Sequence, residues 1–147
     1  MSLPPEPSRE VPMERPMELM REAKTIAVVG VTTKKVRPAN EIAEYLINAG
    51  FDVYLVNETE AGEQMLGKTI QPSVESLGVP VDIVDIFRRP ADVPPHVEDA
   101  IASGAKVVWM QVGIVNEDAA ARARDAGLEV VMDRCTMVEH RRLAHAR

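Results

Sequence analysis

Aromatic residues make up only 3% of this 147-residue chain, and cysteine occurs once, at Cys135. A lone cysteine excludes an internal disulfide and, with eight methionines, fits a reducing compartment. No apolar run approaches the roughly 20 residues that a spanning helix needs. The N-terminus carries Glu6, Arg9, Glu10 and several prolines where a signal peptide would need an apolar stretch. A cytoplasmic protein without membrane contact is therefore expected. Positive charge is scarce too: the net charge is −6, which leaves a general nucleic-acid role without an electrostatic footprint. His96, His140 and His145 lack tight ligand spacing with Cys135, which argues against a zinc site. Cys135 itself reads first as a buried, inert thiol and second as a thiol facing a cofactor.

What remains is an ordinary globular balance, 46% hydrophobic and 27% charged, in a length that fits one domain. Pro4, Pro5, Pro7, Pro12 and Pro16 make residues 1–18 a flexible, proline-rich arm, with the domain over residues 19–147. Met17 to Lys24 has room for one or two helical turns at that junction. A regular alternation follows. Thr25–Gly30, Asp52–Val56, Asp82–Phe87, Lys106–Met110 and Glu129–Met132 read as short buried strands. Between them, Ala39–Ala49, Val93–Ser103 and the segment from Asn116 to Gly127 read as helices, the last capped by Asn116. Met65 to Leu77 reads as a short edge strand and a turn of helix, and Val138 to Ala146 as a polar surface helix. Strands and helices in this order predict a Rossmann-like, doubly wound parallel sheet of five or six strands in a single α/β domain.

In such sheets the ligand crevice lies beyond the carboxyl ends of the strands. After the first strand comes Gly30-Val-Thr32-Thr33-Lys-Lys35-Val-Arg37-Pro, and from Lys24 to Asn40 the chain holds four basic residues and no acid. A glycine there lets backbone N–H groups approach a phosphate, and the next helix presents its positive end. The dinucleotide fingerprint G-x-G-x-x-G is nevertheless absent, and the second strand ends in Val56, Asn57 and Glu58, where a nicotinamide dinucleotide site needs an acid on the ribose. Glu58 fills that part only with a shifted register, so such a dinucleotide stays open as the alternative. Phe87-Arg88-Arg89 adds a second basic cluster at the same edge, where arginine forks suit phosphate. Gln111-Val-Gly113 follows the next strand, while Trp109 reads as core.

Taken together, Val29-Gly30 with Arg37-Pro38, Val56-Asn57, Leu66-Gly67, Val84-Asp-Ile-Phe-Arg88, Ala105-Lys-Val-Val-Trp-Met-Gln111 and Met132-Asp-Arg-Cys135 resemble the small stand-alone CoA-binding proteins, the YccU-like family. More distantly, they resemble the CoA-binding domain of the succinyl-CoA synthetase alpha subunit. The resemblance runs from about Thr25 to Leu143. It implies a coenzyme A or acyl-CoA cofactor with its phosphates at Gly30–Arg37, where Thr32, Thr33 and Lys35 also lie. It puts adenosine near Val56-Asn57 and Phe87-Arg88, with Val93 beside them, and the pantetheine arm toward Gln111. The family's usual proline after Val-Asn is Glu58 here, and its usual serine after Arg-Pro is Ala39. The synthetases' phosphorylated histidine lies in a further domain that this sequence does not match, so ligase activity does not carry over.

No residue pair in the sequence makes a nucleophile with its base. The reading is thus a CoA or acyl-CoA binding module, non-catalytic or regulatory, with an NAD(P)-binding or acyl-CoA-processing enzyme as the rival. Its partner is a small-molecule cofactor. A protein partner is not specified, and homo-oligomer formation stays open because apolar helix faces read alike in a core and in a dimer.

Overall fold

The computed structural model describes residues 13–146. Most of the expected N-terminal arm, residues 1–12, lies outside them. Within them the expected arm is shorter than residue 18: a helix, α1, already starts at Arg15 and runs to Glu22, burying Met17, Leu19 and Met20. Pro16 sits in its first turn, where a missing N–H has no partner to lose.

Five strands form one wholly parallel sheet: β1 (Thr25–Val29), β2 (Asp52–Val56), β5 (Ile83–Ile86), β6 (Val107–Met110) and β7 (Glu129–Val131). Their spatial order is β2-β1-β5-β6-β7. The chain winds outward from β1 to β2, then returns past β1 to begin β5 on its other side. This is the doubly wound α/β architecture expected from the alternation. The segment read as one edge strand is instead a two-stranded antiparallel hairpin, β3 (Gln64–Met65) and β4 (Lys68–Thr69), followed by a 3₁₀ turn at Glu75–Leu77. Parallel strands cannot close by tight turns, so helices make the crossovers: α2 (Pro38–Asn48), α3 (Pro94–Ser103) and α4 (Glu117–Asp125), with α5 (Thr136–Arg142) after β7.

Successive strand residues face opposite sides of the sheet, and both sides are covered. Ala27, Val29, Val84, Ile86, Val108 and Met110 pack with residues of α3 and α4, including Val97, Ala100, Ala119, Ala120 and Ala123. Alanines on α4 let that helix lie close to the sheet. The alternate strand positions Ile26, Val28, Ile83, Val107 and Trp109 meet Leu19 and Met20 of α1 and Ile42, Ala43 and Leu46 of α2. Trp109 is fully buried, and its indole N–H donates to the Arg134 carbonyl at 2.8 Å. The Asn116 side chain caps α4 by accepting from the Ala119 N–H. The C-terminal segment departs from a polar surface helix. Its helix begins two residues earlier, at Thr136, and buries both Thr136 and Glu139. Burial of Glu139 is made tolerable by Arg142 at 3.0 Å and Arg134 at 3.4 Å. No helix among the described residues is long and apolar enough to cross a membrane.

Candidate functional site

The strand order reverses between β1 and β5, and that is where the molecule opens. A cleft of about 1190 Å3 lies beyond the carboxyl ends of β1, β2 and β5. Its floor is a close approach of two backbone segments. Gly30, just past β1, has φ +111°, and a Cβ built there would lie 2.3 Å from the carbonyl oxygen of Phe87, just past β5. Only glycine lets these two chain segments pass.

The loop from Gly30 to Arg37 forms one wall and is held by side chains from two other segments. Asn40 Oδ1 accepts the Thr32 N–H at 3.0 Å, and its Nδ2 donates to the Thr32 carbonyl at 2.8 Å. Glu60, 6% exposed, accepts the N–H and the hydroxyl of Thr33 at 2.9 and 2.8 Å. Asn57 donates to the Val31 carbonyl at 2.8 Å and to Glu60 at 3.3 Å. The Thr32 hydroxyl, then the Thr33 N–H and hydroxyl, hold the Glu60 carboxyl well below the usual range, at about 2, so it is ionised at any physiological pH.

This arrangement changes how the loop can meet an anion. The N–H groups of Gly30, Thr32, Thr33 and Lys34 already bond to Val56 O, Asn40, Glu60 and the Thr32 hydroxyl. They are not a free cradle for phosphate. The positive charge of this wall sits instead on Lys35 and Arg37, which line the cleft, and at the start of α2, whose N-cap Arg37 makes no side-chain capping bond. Ala39, where the resembled family has serine, is buried against the core.

The opposite wall comes from the segment after β5 and the start of α3. Arg88 grips both oxygens of Glu58, at 3.0 and 3.1 Å, and Arg89 bonds Asp92 at 3.1 Å. Burial would raise the Glu58 carboxyl, but a backbone hydrogen bond and Arg88 outweigh it and hold it below its ordinary value. His96 lines the same wall, and burial favours its neutral form. Phe87 and Ile114 give the cleft apolar surface.

Seven of the eleven expected positions therefore meet at the cleft: Gly30, Thr32, Lys35, Arg37, Asn57, Phe87 and Arg88. Four do not line it. Thr33 is turned to Glu60, while Val56 and Val93 are buried in the core on the α3–α4 side. Gln111 is also buried: its amide donates to Asp85 at 2.7 Å and to Thr136 at 3.1 Å, and it does not line the cleft. Sequence reasoning missed Glu60 and Asn40 as organisers of the loop. The Asn57-x-Thr59 turn, in which Asn57 Oδ1 accepts the Thr59 N–H at 2.9 Å, was the available signal that the chain doubles back here. Cys135, half-buried, is not part of the cleft lining. No cluster of metal-ligating side chains occurs among the described residues.

A doubly wound parallel sheet with an open cleft at its reversal point defines a Rossmann-like class of α/β domain. Comparison with known proteins narrows this: residues 24–141 match the model of the CoA binding domain family, and the chain belongs to that family. It is similar to the uncharacterized protein YneT of Bacillus subtilis (strain 168), 33% identical over 123 residues that cover 84% of this chain and 90% of YneT. Among solved structures, a hypothetical protein from Pyrococcus horikoshii OT3 is similar, with 38% identity and a TM-score of 0.82 over 98% of this chain and 99% of that one. The dinucleotide-forming acetyl-coenzyme A synthetase 1 of Ca. Korarchaeum cryptofilum shares the fold, with 21% identity and a TM-score of 0.63 over 73% of this chain and 25% of the synthetase.

Proposed function

We propose that the protein binds coenzyme A or an acyl-CoA in the cleft between the Gly30–Arg37 loop and the Phe87–Arg89 segment, as a cytoplasmic binding module without catalytic machinery of its own. The observation that carries this is the pair Lys35 and Arg37 at the uncapped start of α2, facing the cleft of a chain from the CoA binding domain family. In this reading the diphosphate lies against that pair, the adenosine lies toward Asn57 and Phe87, and the pantetheine arm leaves along Ile114 rather than Gln111. Calorimetric titration with CoA, acetyl-CoA and NAD tests it. Binding of CoA or acetyl-CoA, weakened about tenfold or more in a Lys35→Ala, Arg37→Ala double variant, is expected, as loss of charge-assisted hydrogen bonds predicts. Binding of NAD alone would turn the reading to the dinucleotide alternative, and unchanged CoA affinity in the double variant would remove the proposed phosphate wall.

A further inference from the structure

The two walls of the cleft differ in how much positive charge they have to give. On the loop wall, Lys35 and Arg37 have no carboxylate partner among the described residues. On the opposite wall, Arg88 is committed to Glu58 and Arg89 to Asp92. Asp99 also lines that wall, its carboxylate accepting the Val74 and Glu75 N–H groups at 2.7 and 2.9 Å. The loop wall can therefore neutralise a diphosphate, while the far wall has no spare cation for another phosphate.

In a doubly wound sheet the diphosphate meets the first loop and its helix, and the adenosine ribose meets the end of the second strand. Glu58 stands two residues past the end of β2, inside the cleft. We propose that Glu58 is a specificity-determining residue: its carboxylate, steadied by Arg88, accepts hydrogen bonds from an unphosphorylated adenosine ribose and repels a phosphate on that ribose. The inference rests on the reading that the cleft holds an adenosine-diphosphate ligand and refines it: coenzyme A itself carries a phosphate on that ribose, so the proposal places dephospho-CoA and other ligands with an unsubstituted ribose ahead of coenzyme A. A ribose phosphate that took Arg88 for itself would strand the Glu58 carboxylate beside a second anion. Juxtaposed like charges are disfavoured at a binding site for this reason. His96, kept toward its neutral form by burial, does not make up the missing charge.

The test titrates the wild-type protein and Glu58→Gln with two pairs of ligands that differ only by a ribose phosphate: dephospho-CoA against CoA, and NAD against NADP. For whichever pair binds, the wild type should take the unphosphorylated member at least as tightly. Glu58→Gln keeps the side chain's size, removes the repulsion and frees Arg88. It should shift the affinity ratio toward the phosphorylated member by about tenfold or more, the size of one additional charge-assisted hydrogen bond. A structural role for Glu58 would weaken both members equally and leave the ratio in place. That result overturns the proposal while leaving the CoA reading standing, as would a wild type that prefers the phosphorylated member. Failure of all four ligands to bind either protein would overturn this proposal and the CoA reading together.

Discussion

Two carboxylates at the carboxyl side of the sheet are both largely hidden from solvent, yet their surroundings push them in opposite directions. Glu60 is 6% exposed and Asp85 is fully buried. Glu60 receives an amide N–H and hydroxyls from the loop over β1, and its carboxyl is held down at about 2. Asp85 sits in β5 on the α2–α5 face, opposite Val28 and Trp109 in register, and among the described residues only Gln111 and the Thr136 hydroxyl bond its side chain. Burial raises its carboxyl to about 7, and those two side chains offset only part of the rise. Depth of burial and the donors together decide which acid stays ionised: Asp85 lies deep in the sheet with two donors, whereas Glu60 lines the cleft and takes several. The sheet edge is thereby split in two. An open half, organised around a charged Glu60, forms the cleft. A closed half, organised around a carboxyl that is partly neutral at neutral pH, ties β5 and β6 to the start of α5. Asp133 completes the closed half by accepting the Gly113 N–H at 2.7 Å.

Gly30 stands at the boundary, and breaking it should have the largest effect. In Gly30→Ala the added methyl meets a backbone carbonyl, not a side chain that can swing away, and φ +111° is strained for any residue with a Cβ. A loss on the order of 4 kcal/mol is expected, read as a large fall in the urea midpoint. A midpoint within error of the wild type would mean that the segments just past β1 and β5 do not approach as closely as described, and the division into halves would lose its hinge.

The closed half is sharpened by Asp85→Asn. Its native pKa lies above the unfolded value, so the stability Asp85 contributes is fully present below about pH 4 and is lost as pH rises through about 7. Asparagine has the shape of the protonated acid, offers an N–H where that acid offers its O–H, and does not titrate. The variant should match the wild type near pH 4 and exceed it by a few kcal/mol at pH 8, an order-of-magnitude figure from linkage. Denaturant melts across pH 4 to 8 measure this directly. Equal pH slopes in the two proteins would show that Asp85 is ionised throughout, making the two carboxylates alike.

The closed half also shows how far residues could be read before their folding was known. Continuous apolar runs such as Thr25–Val29 and Val107–Met110 announce strands buried on both faces, so the sheet and its helices were legible to within a residue or two. The loop from Gly30 to Arg37 was legible as a border of the cleft because it follows the first strand. Gln111 was misjudged because following a strand does not say which way a side chain points. Strand parity carries that information: Gln111 lies two residues beyond Trp109, which is paired with Asp85, so it falls on the Asp85 face and not over the cleft. Val93 was misjudged because it adjoins the basic cluster in sequence, although its side chain packs under α3 as the helix begins. The link from Glu60 to Thr33 spans 27 residues. It depends on the turn at Asn57 folding back over the loop, a long-range fact that no local pattern contains.

The open half is broken most gently at Glu60. Glu60→Gln keeps one oxygen for Thr33 but gives up the charge that makes those bonds strong. Because its native carboxyl titrates below the unfolded value, Glu60 contributes stability that is present above about pH 4.5 and lost as pH falls toward 2. The variant should show a shallower acid limb and little change in global melting at neutral pH. The effect belongs to the loop: the Thr33 amide should exchange with solvent faster, while amides of β5 and β6 should not change. Ligand affinity is subject to two opposing effects. A looser loop positions Lys35 and Arg37 less well, and one negative charge fewer favours an anionic ligand. If the first dominates, CoA affinity falls modestly and Glu60 acts by ordering the wall. If affinity rises while Thr33 exchange is unchanged, Glu60 acts through its field alone, and the open half is held together by Asn40 and Asn57 without it.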